Sequence, residues 1–294
     1  MAWNYGSGGQ GGDGGPLGDA PFLTPGAPGG MGGSGGGAAA NLNGLLALTN
    51  CTLAFNSGTG GGGGSGTMGF MSSSTGAGGD GGDAVGGIRN TGTVSVANTG
   101  TVLLVNCVLA SNSGVSGLGG SGYGSSPNGT AGAAAGNLEG AFTDFGHNLS
   151  SDASTQLTGP GSVIDTDPKL GLLADNGGLT WTMALLPSSP AINAGDTASA
   201  PPVDQRDFPR PVGPAADIGA YEYGSPAILV IGPAGPMGLN LLAYGVSGEG
   251  VLLLASADLS EWTPVSANQF GSDGTLRFIQ ATNQTSGFFH LQLQ

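Results

Sequence analysis

The chain has 294 residues, of which 63 are glycine, and only 8% are Asp, Glu, Lys or Arg. Glycine usage is about three times the average of roughly 7%, and charge usage is about a third of the customary ~25%, which argues against a single compact core. The net charge is −14, with Arg89, Lys169, Arg206, Arg210 and Arg277 as the five Lys and Arg side chains, so a nucleic-acid-binding surface is excluded.

Collagen is excluded because the glycines follow no strict three-residue period. Wholesale disorder fits poorly, since 38% of residues are hydrophobic and Val and Leu cluster in short alternating runs. There is no run of ~18 apolar residues to cross a membrane as a helix. The opening MAWNYGSGGQGGDGG has neither a basic head nor an apolar stretch, so it does not read as a signal peptide.

Residues 1–37 read as a Gly-rich flexible lead. Residues 38–164 carry an internal repeat. GLLALTNCTLAFNSG (Gly44 to Gly58) aligns with GTVLLVNCVLASNSG (Gly100 to Gly114), placing Leu46 on Val102, Leu48 on Leu104, Asn50 on Asn106 and Cys51 on Cys107. GTVSVANTG (Gly92 to Gly100) is a partial copy, and GNLEGAFTDFGHNLSSD (Gly136 to Asp152) a weaker last one. Period-two alternation with β-branched residues predicts strands, and Asn at the corner tolerates a left-handed backbone. Strand, turn, strand and Gly-rich loop, repeated, predict a short solenoid of about three or four coils whose first coil exposes an open sheet edge. Asn50 and Asn106 are expected to belong to an amide ladder, with other coils between or beside them. The Gly-rich insertions are expected as loops leaving and re-entering at one edge.

Cys51 and Cys107 lack the CxxC or nearby His of a zinc site and read as stacked, buried small side chains. A disulfide stays open only if their coils are neighbours, with Cα atoms within ~7 Å.

Residues 165–225 are rich in Pro and Asp and low in strand pattern. They read as a wrap over the last coil, with Leu170, Leu172, Leu173, Trp181, Met183, Leu185, Leu186 and Ile192 as its apolar lid. Asp204, Arg206, Arg210 and Asp217 are expected to pair among themselves, and Glu222 ends the segment. From residue 226 to 294, ILVIGPAG, LNLLAYGV, GVLLLASAD, EWTPV, LRFIQAT and GFFHLQLQ read as six strands of a small β-sandwich.

Chemistry-bearing clusters are sparse. Arg89 with Asp80 and Asp83 is the one cation–carboxylate group in the repeats that a lyase would use, and a solvated arginine is the plainer reading. Glu139, Asp144, Asp152 and His147 gather in the last coil, where a hydrolase pair or an ordinary polar turn explains them equally. GGDGGDAVG matches the calcium nonapeptide once, and that motif needs stacked copies. Asp165, Asp167, Asp175, Asp196, Asp204, Asp207 and Asp217 suit turn and cap roles better than a cation site. Trp181, Trp262, Tyr221 and Tyr244 are the aromatics available to line a carbohydrate groove, all outside the repeats. No catalytic, cofactor or metal residues are assigned, and calcium is the one cofactor left open.

Between Asp165 and Glu222, DTDPKLGLLADNGGLTWTMALLPSSPAINAGD and then DQRDFPRPVGPAADIGAYE closely resemble the closing segment of bacterial choice-of-anchor Q domain proteins. The resemblance implies a right-handed parallel β-helix of the pectate-lyase-like class, in a secreted chain whose anchor varies among members. Two departures stand out: Asp207 where the family has Gly, and Trp181 where a smaller residue or His is usual. LLLASADLSEWTPV, GTLRFIQA and GFFHLQ resemble a small C-terminal β-module of secreted proteins from Verrucomicrobia-like bacteria, with His290 after Phe288 and Phe289 in place of the usual Arg. In that light the missing signal peptide suggests a fragment or a gene start placed too late. The expected function is a non-catalytic extracellular or cell-surface structural, adhesin-like protein. The alternative is a polysaccharide-binding or polysaccharide-degrading protein of the pectate-lyase-like class, with a polysaccharide or cell-surface glycan as partner.

Overall fold

A computed structural model describes residues 4–14, 26–42, 44–69, 75–90, 100–224, 228–231, 239–245, 248, 250–271, 275–280 and 287–293. The chain divides into two units, Met1–Pro168 and Lys169–Gln294. The described secondary structure is all strand.

The first unit holds β1 (Tyr5–Ser7), β2 (Gly35–Gly36), β3 (Ala39–Asn41), β4 (Leu45–Thr49), β5 (Thr52–Ala54), β6 (Ser57–Thr59), β7 (Ala84–Val85), β8 (Ile88–Asn90), β9 (Thr101–Val105), β10 (Val108–Ala110), β11 (Ser113–Val115), β12 (Ala134–Ala135), β13 (Leu138–Gly140), β14 (Thr143–Asp144) and β15 (Leu149–Ser150). They form five three-stranded sheets, ordered β1-β6-β11, β15-β10-β5, β12-β7-β2, β13-β8-β3 and β14-β9-β4. Every pairing in these sheets is parallel, and each joins a strand to its counterpart one round later.

The repeat alignment is the register. Leu46 pairs with Val102 and Leu48 with Leu104, so no further round lies between them. Alternation sends these side chains inward, where Val102, Leu104, Ile88, Leu109 and Leu138 share a core with Leu53, Cys107 and Leu157. Leu104 is completely buried, which is worth about 1.5–3 kcal/mol.

Corners are made by residues in left-handed backbone: Asn50 (φ 48), Asn106 (φ 53) and, in the last round, His147 (φ 53). Asn106 Nδ2 donates to Asn50 Oδ1 at 3.1 Å, so the expected ladder joins adjacent rounds directly. A longer chain of amides crosses the whole stack. Asn4 donates to Asn56 (2.9 Å), Asn56 to Asn112 (2.8 Å), Asn112 to Asn137 (2.8 Å) and Asn137 to Ser150 Oγ (2.8 Å).

The glycine segments are not loops at an edge. Segments 8–14, 60–66 and 117–121 lie in one row, with Gly11 N–H bonded to Gly62 O and Gly63 N–H to Leu118 O, both at 2.8 Å. Segments 29–35, 78–84 and 127–133 form a second row, through Gly32 N–H to Asp80 O and Gly81 N–H to Thr130 O, also 2.8 Å. The rows are stitched antiparallel. One zigzag runs from Gly12 O through Gly30, Gly64, Gly79 and Gly120 to Gly129, each N–H donating to the preceding carbonyl at 2.7–2.9 Å. Donors recur every third residue, at Gly8, Gly11 and Gly14 and again at Gly60, Gly63 and Gly66, which is the period of a polyproline II-type helix.

Close approach explains the composition. A Cβ at Gly61 would lie 1.9 Å from Gly9 O, and one at Gly79 2.0 Å from Gly30 O. In the arms 8–14, 29–35, 60–66, 78–83 and 117–121 side chains occur only at every third position, as at Gln10, Asp13, Ser65 and Asp80, whereas the last arm, 127–133, also carries Asn128 and Ala131. These still take part: Asp13 accepts the Ser65 N–H (2.8 Å), and Gln10 that of Gly62 (2.9 Å). The described part of residues 1–37 therefore belongs to the stack instead of forming a flexible lead. The partial copy at Gly92 lies outside the described residues up to position 99.

The second unit opens with the antiparallel pair β16 (Leu170–Ala174) and β17 (Thr182–Leu185), inside the segment read as low in strand pattern. Its side chains split by face. Met183 and Leu185 are buried, whereas Leu172, Trp181 and Leu186 are exposed, so these three are not part of an apolar lid. Next come β18 (Ile228–Ile231), β19 (Leu239–Tyr244), β20 (Gly250–Ser256), β21 (Thr263–Gln269), β22 (Thr275–Gln280) and β23 (Phe288–Leu293). These are the six expected strands, in two antiparallel sheets ordered β18-β19-β22 and β21-β20-β23. Leu241, Ala243, Val251, Leu253, Phe270 and Phe278 form their common core.

Candidate functional site

Arg89 at the middle of β8 is 8% exposed, and it reaches Asp83 at 3.1 Å and Glu139 at 3.3 Å. The pairing is set by register, since Arg89 stands opposite Glu139 on β13. Burial pushes the Glu139 carboxyl above its ordinary range, with Arg89 pulling the other way. Glu139 Oε2 is buried without a hydrogen-bond partner. Asp83 and Asp80 also serve the glycine rows, accepting the Ala133 N–H (2.8 Å) and the Thr130 N–H (2.7 Å). The Thr130 N–H and hydroxyl hold the Asp80 carboxyl below its usual value. The carboxylates of GGDGGDAVG thus act as acceptors for the next glycine arm.

The last round uses its acids in the same way. Asp144 accepts from Gly146 N–H (2.8 Å), Asn148 Nδ2 (2.6 Å), Gly159 N–H (2.6 Å) and Ser162 Oγ (3.0 Å). Asp152 accepts the Asn137 N–H and the Ser150 hydroxyl, both at 2.8 Å, together with the Ser154 hydroxyl. Burial raises the Asp152 carboxyl, but those donors outweigh it and the net direction is downward. His147 serves as the corner, its N–H bonded to Pro160 O at 2.9 Å. Both carboxylates are thus engaged by several structural donors of the last round.

Cys51 and Cys107 are stacked on adjacent rounds and both are free thiols. Cys107 is buried and donates to Leu48 O at 3.4 Å. Burial pushes its thiol up, while a hydrogen bond with Cys107 draws the half-buried Cys51 thiol down to about 7.

In the second unit the charges form a buried knot. Arg206 pairs with Asp204 at 2.6 Å, and its guanidinium lies 3.6 Å from the Tyr221 ring centroid and 4.3 Å from that of Phe208. Arg210 pairs with Glu222 at 3.2 Å, not with the Asp217 carboxylate as expected. It reaches Asp217 through the backbone carbonyl, at 3.1 Å, because Asp217 turns its own carboxylate onto the N–H groups of Asn193 and Tyr223. Glu222 accepts the N–H groups of Val212 (2.7 Å) and Asp217 (3.0 Å) as well. Burial pushes the Asp217 carboxyl up to about 6 and the Arg210 guanidinium down. Removing one partner of such a pair leaves a buried charge uncompensated, a cost of about 3–5 kcal/mol. The knot pins DQRDFPRPVGPAADIGAYE to itself and to Asn193 and Tyr223, and its charged groups are buried.

The aromatics considered for a groove are dispersed. Tyr221 is buried under Arg206, Trp181 is 63% exposed, and Trp262 lies 5.7 Å from the His290 ring. Tyr244 lies on β19, paired with Ile228 and Thr275. Among the described residues no three His, Cys, Asp or Glu side chains are placed to hold a metal ion, and no helix is long and apolar enough to cross a membrane. The chain matches no protein-family model, no curated protein and no solved structure.

Proposed function

We propose that the chain is a non-catalytic structural protein of the cell exterior. On this reading the described residues of the first unit form a short right-handed parallel β-helix, and a small β-sandwich follows the closing segment. The observation that carries it is the fate of the acids in the repeats. Asp80, Asp83, Asp144 and Asp152 each accept hydrogen bonds that hold one round or arm to another. Arg89, the cation a lyase would use, is tied to Asp83 and Glu139. The in-register parallel sheets support the helical path, and the resemblance of Asp165 to Glu222 to choice-of-anchor Q proteins supports the exterior location.

The test is incubation of the full chain with acidic and neutral polysaccharides, with and without calcium, following new unsaturated or reducing ends and retention. The expected result is no product. Cleavage would overturn the reading and point to Arg89 and to Asp144 with Asp152. Retention without cleavage would make it a glycan-binding surface protein.

A further inference from the structure

The chain has two cysteines in 294 residues, and the fold stacks one on the other. Thr49 pairs with Val105 on one side of them and Thr52 with Val108 on the other, so both flanks keep the 56-residue offset that joins Asn50 to Asn106. Cys51 O accepts the Val108 N–H at 2.8 Å, which ties the two corners together. Neighbouring strands stand about 4.7–4.9 Å apart, inside the ~4.4–6.8 Å between Cα atoms that a disulfide spans. Neighbouring rounds, the condition for a disulfide between these residues, are therefore in place.

The side chains agree with the backbone. Cys51 Sγ lies 3.4 Å from Thr49 O and Cys107 Sγ 3.2 Å from Val105 O, the same pose in each round. Cys107 Sγ is also 3.4 Å from Leu48 O, so it leans into the round that carries Cys51. The two thiols are hydrogen-bonded to each other, and that contact draws Cys51 toward its thiolate. Both pack on the core formed by Leu53, Leu104 and Leu109. Asn148 takes the equivalent place in the last round, where its Oδ1 accepts the Cys107 N–H at 2.7 Å. Packing as a small apolar side chain explains either cysteine alone. It does not explain two thiols in contact across adjacent rounds.

We propose that Cys51 and Cys107 form a reversible disulfide that staples the two rounds, made by exchange with a small-molecule disulfide of the glutathione type. The Cys51 thiolate attacks one sulfur of that disulfide, and a mixed disulfide forms as one small thiolate leaves. Cys107, deprotonated in turn, attacks Cys51 Sγ, and the mixed bond breaks as the second small thiolate leaves. The protons lost by the two protein thiols are taken up by the two small thiolates. Two protein thiols are thereby oxidised and one small disulfide is reduced. The bridge closes a loop that contains the glycine arms 60–66 and 78–84, so it restrains the unfolded chain across that stretch. The inference does not rest on the function proposed above.

The test is equilibration of the full chain in glutathione buffers, read by intact mass and peptide mapping. The balance is approached from both the reduced and the oxidised chain, so slow access to the buried Cys107 does not bias it. A Cys51–Cys107 bridge within one chain is expected, with an equilibrium constant about tenfold or more above that of the same chain in denaturant. The bridged chain should then melt about 3 °C or more above the reduced one, and Cys51→Ala should show no difference between the two buffers. A constant no higher in the folded chain than in denaturant would overturn the proposal. So would glutathione held on Cys51 without bridging, or an equal rise in melting temperature for Cys51→Ala.

Discussion

The strand half and the glycine half of the first unit solve one problem with opposite means. In β4, β9 and β14 the rounds are held by main-chain bonds plus inward side chains such as Leu104. In the glycine rows the side chain is absent, and each arm is held by main-chain bonds to neighbours in its own row and in the other row. The difference teaches where the energy resides. The strand half gains from apolar burial, about 25 cal/mol per Å². The glycine half gains from dense backbone hydrogen bonding, offset by the large entropy lost when glycine is ordered.

The comparison can be broken from either side. Leu104→Ala removes a fully buried side chain from the strand half, and denaturant unfolding should show a loss of about 2–5 kcal/mol. Gly79→Ala adds one methyl to the glycine half, 2.0 Å from Gly30 O, and should cost about 1–3 kcal/mol despite alanine's lower unfolded-state entropy. Asn106→Ala removes the amide bonded to Asn50 and places a Cβ-bearing residue without a polar side chain at φ 53, so about 1–2 kcal/mol is expected. Gly12→Ala sharpens the contrast, because its methyl meets nothing. The chain should be unchanged or gain at most about 1 kcal/mol.

A pH series separates the glycine rows from the charge knot by sign. The Asp217 carboxyl is raised to about 6 by burial, so the folded state holds its proton more tightly than the unfolded state. Its contribution is complete below about pH 4 and is lost as pH rises through about 6. The Asp80 carboxyl is lowered by the Thr130 N–H and hydroxyl, so its contribution is present above the ordinary carboxylate range and is lost as pH falls through the folded value. Asp217→Asn should flatten the slope between about pH 4 and 6, and Asp80→Asn only the acid limb below it.

The strand half was legible in the sequence for a physical reason. Alternation of Leu46 and Leu48, repeated as Val102 and Leu104, records which side chains face the core, and the repeat offset is the pairing register. The glycine half was not, although GGQGGDGG, GGMGGSGGG and GGDGGD each carry a three-residue period. That period restarts in every arm, so no chain-wide phase survives, and a missing side chain records contact only indirectly. In the closing segment, the density of Asp204, Arg206, Arg210 and Asp217 marked the knot. The choice of Glu222 over Asp217 by Arg210 was hidden, because it depends on where the Asp217 carboxylate finds backbone donors.

Residue-resolved amide hydrogen exchange tests the central claim most directly, since the glycine rows are an ordered, bonded part of the stack. Gly61, Gly64, Gly79 and Gly82, whose N–H groups donate between rows at 2.8–2.9 Å, should exchange slowly, like the amides of β9. Fast exchange at all four glycines beside a protected β9 would contradict the account and return these segments to the status of loops.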